Sequence, residues 1–183
     1  TLLCVNGNTI TYVGDDDDLS RLKSQTTKII DCQGRVMIPG FHDAHAHLLG
    51  LAVRLLSVDC SPVNVRSIDQ LIYRISEKAK NVSSGEWIRA WGYSEFHLKE
   101  KRHPNRHDLD QACREHPIAL KHRSGHGCVL NTKALKLLGI SDQTADSENE
   151  VIERDSDGFP TGITWEMNYD IDAKMPQFKQ DEI

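Results

Sequence analysis

No stretch of this sequence approaches the roughly 18 consecutive apolar residues that a membrane-spanning helix needs, so no membrane association is expected. Lysine and arginine nowhere gather into a block and the net charge is −5, which argues against nucleic-acid binding. Cysteine is sparse and odd in number: five residues (Cys4, Cys32, Cys60, Cys113, Cys128) with no Cys-x-x-Cys. A disulfide framework would be denser and even, so reduced, structural thiols in a cytoplasmic protein are expected. The first residues, Thr1-Leu2-Leu3-Cys4, carry neither an initiator methionine nor a signal-peptide pattern, and the sequence reads as one that starts inside a longer chain. There is no internal repeat and no low-complexity tract. What is present is 183 residues, 38% hydrophobic, with a mean hydropathy of −0.49. That suffices for one medium domain, or one and a fraction, under a polar surface.

Histidine is where the sequence is rich. "VMIPGFHDAHAHLLG", residues 36–50, holds His42, His45 and His47 together with Asp43. Val36, Met37, Ile38 and Phe41 have the β-branched and large apolar character of a short buried strand. On such a strand Asp43, His45 and His47 would share one face, with Ala44 and Ala46 on the other. Two imidazoles at i and i+2 can hold one metal ion, since neutral imidazole nitrogen is a good donor to zinc and its neighbours. The competing reading is of histidines in a surface loop. The apolar run before the pair and Leu48-Leu49 after it favour the metal site.

The surrounding pattern divides in two. Residues 1–38 read as a purely β layer: a hairpin at Asn6-Gly7, then a strand pair broken at Gln33-Gly34. The acidic run Asp15 to Asp18 lacks the ligand spacing of a calcium loop and reads as solvated. From residue 39 onwards helices alternate with strands. "SIDQLIYRISEKAK" is an amphipathic helix opened by Ser67 and Gln70 as a capping box. "EWIRAWGY" reads as a strand, Asp108 to Glu115 as a short helix, and "PIALKHRSGHG" as a strand running into a loop. "NTKALKLLGI" is a helix capped by Asn131 and stopped at Gly139. A hairpin around 150–163 then leads into a strand that carries Glu166. Helices between strands imply parallel β-α units.

A β layer, then Pro-Gly-Phe-x-Asp-x-His-x-His, then β-α units, resembles the amidohydrolase superfamily of metal-dependent hydrolases. "EWIRAWGYSEF", "HPNRHDLDQACREHPIALKHRSGHGCVLNTKAL" and "DGFPTGITWEM" narrow the likeness to its YtcJ-like branch, and it covers nearly the whole chain. The resemblance implies an α/β protein: a (β/α)₈ TIM-like barrel flanked by a composite β-sandwich, with one or two divalent metals, zinc being the expected ion. A small amide-type substrate would be hydrolysed at a C–N bond, with a homodimer as one assembly option. His45 and His47 match the first-strand ligand pair, Glu166 falls where a metal-bridging carboxylate is expected, and His126 and Asn131 match a pocket-lining segment. A barrel needs about 250 residues, so the chain is expected to be the N-terminal portion, with residues 1–38 in the sandwich and 39–183 in the first β/α units. The general base and the remaining ligands would then lie beyond it.

Several roles stay open on the residues alone. Asp43 could fix a histidine tautomer as a ligand's partner or be a polar residue at a strand end. His126 could bond a substrate carbonyl or the backbone of its own loop. Glu166 could ligate metal or form an ordinary ion pair, and Lys121 is its rival as a bridging group. Trp87, Trp91 and Tyr93 read as core packing before they read as a stacking platform. A metallo-β-lactamase fold is disfavoured because the Asp-His half of its His-x-His-x-Asp-His pattern is missing. The non-enzyme alternative is a catalytically inactive remnant that binds metal or serves as an interaction domain.

Overall fold

The structure is a computed structural model and describes residues 1–178. It comprises two units, Thr1–His45 and the chain from Ala46 onwards. In the first, strands β1 (Leu2–Asn6) and β2 (Thr9–Gly14) pair antiparallel, and a one-turn helix α1 (Leu19–Leu22) follows. The hairpin turns where Asn6-Gly7 predicts, with Gly7 at φ +60°. The expected turn at Gln33-Gly34 also forms, with the Arg35 amide donating to the Cys32 carbonyl at 2.9 Å.

The strands expected on either side of that turn do not form, nor does the buried strand at Val36–Phe41. The two stretches run without ladder partners, and Val36 and Phe41 are 87% and 94% exposed. β-branched residues favour a strand only where a neighbouring strand and a packed face receive them. Pro39, moreover, has no amide to give a ladder. The alternating-face geometry expected of Asp43, His45 and His47 is therefore corrected: the chain bends at Ala44–His45, and His47 precedes a helix.

In the second unit that helix, α2 (Leu48–Leu56), leads through β3 (Val58–Asp59), α3 (Ile68–Ala79), β4 (Ile88–Tyr93) and α4 (Arg106–Ala112) to β5 (Ile118–His122). Strands β3, β4 and β5 are parallel, as the helix–strand alternation predicts. From there the sheet turns antiparallel through β6 (Gly127–Leu130), helix α5 (Thr132–Leu138), β7 (Val151–Arg154) and β8 (Pro160–Trp165), and α6 (Asn168–Lys174) follows. The order across the sheet is β3-β4-β5-β6-β8-β7, a mixed sheet in an α/β unit.

Both faces of this sheet are covered, which is why its strands read as continuous apolar runs. Ile88, Ala90, Ile118, Leu120, Val129 and Ile163 meet Leu71 and Ile75 of α3 and Leu109 of α4. The opposite face gives Ala119, Cys128, Leu130 and Ile152 to Leu135 and Leu138 of α5 and Ile171 of α6. All five cysteines are free thiols, and burial pushes Cys60 and Cys128 up to about 12, so these two remain protonated and inert.

Local chemistry sets the helix starts. Ser67 caps α3 by accepting the Gln70 amide, but Gln70 Oε1 takes the Arg66 amide, so only half of the expected box closes. The full reciprocal box stands at α4, between Asn105 and Asp108. Gly139 ends α5 in the left-handed conformation at φ +73°.

Candidate functional site

The connectivity brings one set of chain ends to one edge of the sheet. Because β6 runs against β5 and β8 against β6, β8 is parallel to β5. The carboxyl ends of β4 (Tyr93), β5 (His122) and β8 (Trp165) thus share an edge with the start of β6 at Gly127. In α/β sheets the carboxyl edge is the habitual place for ligand sites, since loops leaving it can converge without disturbing the core.

His126 and Glu166 meet on that edge. The Glu166 amide donates to the His126 carbonyl at 2.8 Å, extending the β6–β8 ladder by one rung. The side chains then pair, His126 Nδ1 lying 3.0 Å from Glu166 Oε1 and 3.2 Å from Oε2. Glu166 adopts φ +59°, a left-handed backbone that L-residues other than Asn and Asp seldom hold. Such a conformation costs energy and clusters at functional positions. Both side chains are more than half exposed, so the pair faces outward and can receive a ligand.

At the same strand ends lies a tier of aromatic and imidazole rings, of which sequence reasoning singles out only Tyr93, as core packing. Tyr93, His103, His122 and Trp165 pack edge to face, with Tyr93–His122 ring centres 5.1 Å apart and His103–Trp165 centres 5.3 Å apart. Trp165 rides over Gly127, where a Cβ would come within 2.8 Å of its ring. His122 is 9% exposed; its Nε2 lies 2.9 Å from Glu95, and Tyr93 Oη lies 3.0 Å from His103 Nδ1. Desolvation holds the His122 imidazole below the ordinary histidine range, against the opposing pull of the Glu95 carboxylate. Glu95 and His103 follow the end of β4 within segments that carry the family resemblance, but only their clustering around the edge gives them a place in the site.

The other candidates each have local surroundings of their own. Asp43 Oδ1 accepts the His45 amide at 3.0 Å, so its carboxylate caps local backbone. His45 ends the first unit and His47 stands at the head of α2 in the second. Asn131 is fully buried; its Oδ1 accepts the Ile118 and Ala134 amides, and its Nδ2 donates to the Cys113 and His116 carbonyls. That amide joins α5 to β5. Lys121 is held by Asp172 of α6 at 2.5 Å. It lines a cavity of about 230 Å³ with Arg54, Arg89, Trp91 and His122. Trp91 carries the Arg54 guanidinium 4.1 Å above its ring. Among the described residues no three His, Cys, Asp or Glu side chains converge as metal ligands, and no helix is long and apolar enough to cross a membrane.

A sequence profile of the amidohydrolase family matches residues 28–180. The N-substituted formamide deformylase of Arthrobacter pascens is 33% identical over 162 residues, covering 88% of this chain and 30% of that protein. The protein named YtcJ of Bacillus subtilis (strain 168) is 32% identical, over 82% of this chain and 28% of its own length. The crystal structure of an uncharacterized metal-dependent hydrolase from Pyrococcus furiosus superposes with a TM-score of 0.53 at 28% identity, covering 94% of this chain and 32% of that one. The chain thus spans about 30% of the length of the curated relatives it matches.

Proposed function

Because the chain belongs to the amidohydrolase family, we propose that it forms the N-terminal part of a metal-dependent hydrolase acting on a small amide-type substrate. Residues 1–38 open a composite β-sandwich, and residues 39–183 supply the first units of a (β/α)₈ barrel into which the 150–163 hairpin is inserted. The parallel β3-α3-β4-α4-β5 succession supports this reading.

His45 and His47 are the ligands that the sequence motif designates, with Glu166 as the carboxylate of the centre. Two imidazoles and a carboxylate form a donor set suited to a divalent ion such as zinc that keeps a position open. When bound, that ion supplies an acidified water, its pKa brought down to about 7, and polarises a carbonyl. Asp43, by holding the His45 amide, fixes the bend that carries the histidines. His126 presents its imidazole beside Glu166, with Nδ1–H donated to that carboxylate, so a hydrogen bond from Nε2 to the substrate carbonyl and to the oxyanion that develops from it is made by the doubly protonated ring. Water adds to the carbonyl carbon, the C–N bond breaks, and the departing nitrogen takes up a proton. The general base and further ligands are assigned to barrel strands other than those described, and the substrate class follows the relative named for N-substituted formamides. The free thiols suit a reducing, cytoplasmic compartment.

The observation that carries the proposal is the His126–Glu166 pair on the carboxyl edge, with Glu166 in a left-handed backbone. The full-length enzyme, loaded with zinc, should release formate and amine from N-substituted formamides, or a carboxylate and amine from related amides. A metal-replete preparation that cleaves none of these would overturn it and favour a remnant that binds metal or a partner without turnover.

A further inference from the structure

A continuous line of hydrogen bonds joins the half-buried Glu95 to the His126–Glu166 pair, and its proton assignments agree along its length. His122 Nδ1 accepts the Ser124 amide at 3.2 Å, so this nitrogen carries no hydrogen. The ring proton is therefore on Nε2, where it is donated to Glu95 Oε2 at 2.9 Å. Ser124 Oγ lies 2.8 Å from the same Nδ1 and must donate to it. Its lone pairs are then free to accept the His126 amide at 3.2 Å. No donor meets a donor anywhere in the series.

The loop so held has little else to fix it. Residues 123–126 are exposed, and among the described residues the other bonds there are backbone ones from Arg123 to Tyr93, from Gly125 to His122 and from Glu166 to the His126 carbonyl, plus the Asn168 amide donating to the Gly125 carbonyl. Of these only the Glu166 bond touches His126, and it reaches the carbonyl rather than the amide or the ring. Its amide and side chain are set by Ser124 and by Glu166. A histidine on a thinly anchored loop samples many orientations, and a hydrogen-bonded shell behind it narrows them.

We propose that Glu95, His122 and Ser124 are positioning residues that orient His126 toward the reacting carbonyl. This rests on the hydrolase reading above. Glu95 fixes the tautomer of His122, His122 fixes the hydroxyl of Ser124, and Ser124 fixes the backbone from which the His126 ring projects. The arrangement is the organic counterpart of the outer partners that orient metal-ligating histidines, whose loss costs roughly 10- to 100-fold.

Ser124 offers the cleanest test, because it is exposed and its replacement leaves the core untouched. In the full-length, metal-replete enzyme Ser124→Ala should lower kcat roughly tenfold with KM nearly constant. Metal content should be unchanged, and Ser124→Thr, which keeps a hydroxyl, should recover most of the loss. In a His126→Ala background Ser124→Ala should cost nothing further, since it acts through His126. A readout independent of turnover is amide exchange in the metal-free protein: the His126 amide should exchange roughly tenfold faster in Ser124→Ala and not in Ser124→Thr. Unchanged kcat and exchange in Ser124→Ala, or a loss that persists in the His126→Ala background, would overturn the proposal. A fully active His126→Ala would also overturn the proposal, whereas a wild-type enzyme without amide hydrolysis would instead overturn the hydrolase reading, and the exchange measurement would still judge the hold of Ser124 on His126 by itself.

Discussion

The imidazole of His126 and the carboxylate of Glu166 stand 3.0 Å apart across the last rung of the β6–β8 ladder, although 40 positions separate them in sequence. Glu166→Gln keeps the shape of that contact and removes the charge. If Glu166 belongs to a metal centre, the full-length variant should lose bound metal, towards one ion or less, and turnover should fall by orders of magnitude. An exposed ion pair of no catalytic consequence would cost at most about 1 kcal/mol of stability and leave activity intact. Metal analysis and turnover at saturating substrate separate the two outcomes.

The His45→Ala/His47→Ala double variant should abolish stoichiometric zinc in the full-length protein. The basis is the His-x-His motif, since two neutral imidazoles one residue apart suit a single ion. Undiminished zinc after exhaustive dialysis would remove both residues from the site.

Much of the second unit was legible because its cues are local. Asn131 and Gly139 bracket α5 as caps, and the apolar positions Ile68, Leu71 and Ile75 give α3 its buried stripe. Asn6-Gly7 likewise marks the first hairpin, since few residues tolerate its turn. What escaped depends on partners distant in sequence. Strand β6 has four residues, too few for a period to show, and exists through its pairing with β5 and β8. The Val36–Phe41 run illustrates the opposite error, for its composition favours a strand but no described strand receives it. At the site, His126 and Glu166 were visible through flanking motifs. Glu95, His103 and His122 become a group only when β4 and β5 lie side by side.

The 183-residue chain expressed alone should be catalytically inactive and prone to associate. Val36, Phe41, Leu48, Leu49 and Leu55 are large apolar residues that stand exposed. Large apolar side chains left in water invite self-association. Light scattering and turnover of the isolated chain test this, and a monodisperse, hydrolytically competent preparation would show it to be wrong.

Asn131→Ala should destabilise the full-length protein by about 3 kcal/mol or more. Two amides and two carbonyls lose their partner inside the core, and an unsatisfied buried polar group costs about 1–3 kcal/mol. The denaturation midpoint should fall accordingly, with no change in metal stoichiometry in the folded fraction. A shift under about 1 kcal/mol would mean that water or a rearranged backbone replaces the side chain, at odds with its complete burial.

His122 supplies a pH dependence whose sign follows from its surroundings. Desolvation lowers its pKa, Glu95 opposes that shift, and His103 and Arg123 add to it. With the folded value below the ordinary imidazole value of about 6.5, the ring is neutral in both states above that pH, and its contribution to stability is complete there. As the pH falls through about 6.5 the unfolded chain takes up a proton that the folded chain refuses, so stability declines until the folded pKa is passed. His122→Gln removes this titration while leaving the other histidines in place. The stability of the wild type should therefore drop more steeply than that of the variant between about pH 7.5 and pH 5, as read from unfolding midpoints across that interval. Parallel curves would mean that the Glu95 carboxylate fully offsets burial, and a wild type that gains stability on acidification relative to the variant would mean that Glu95 overcomes it.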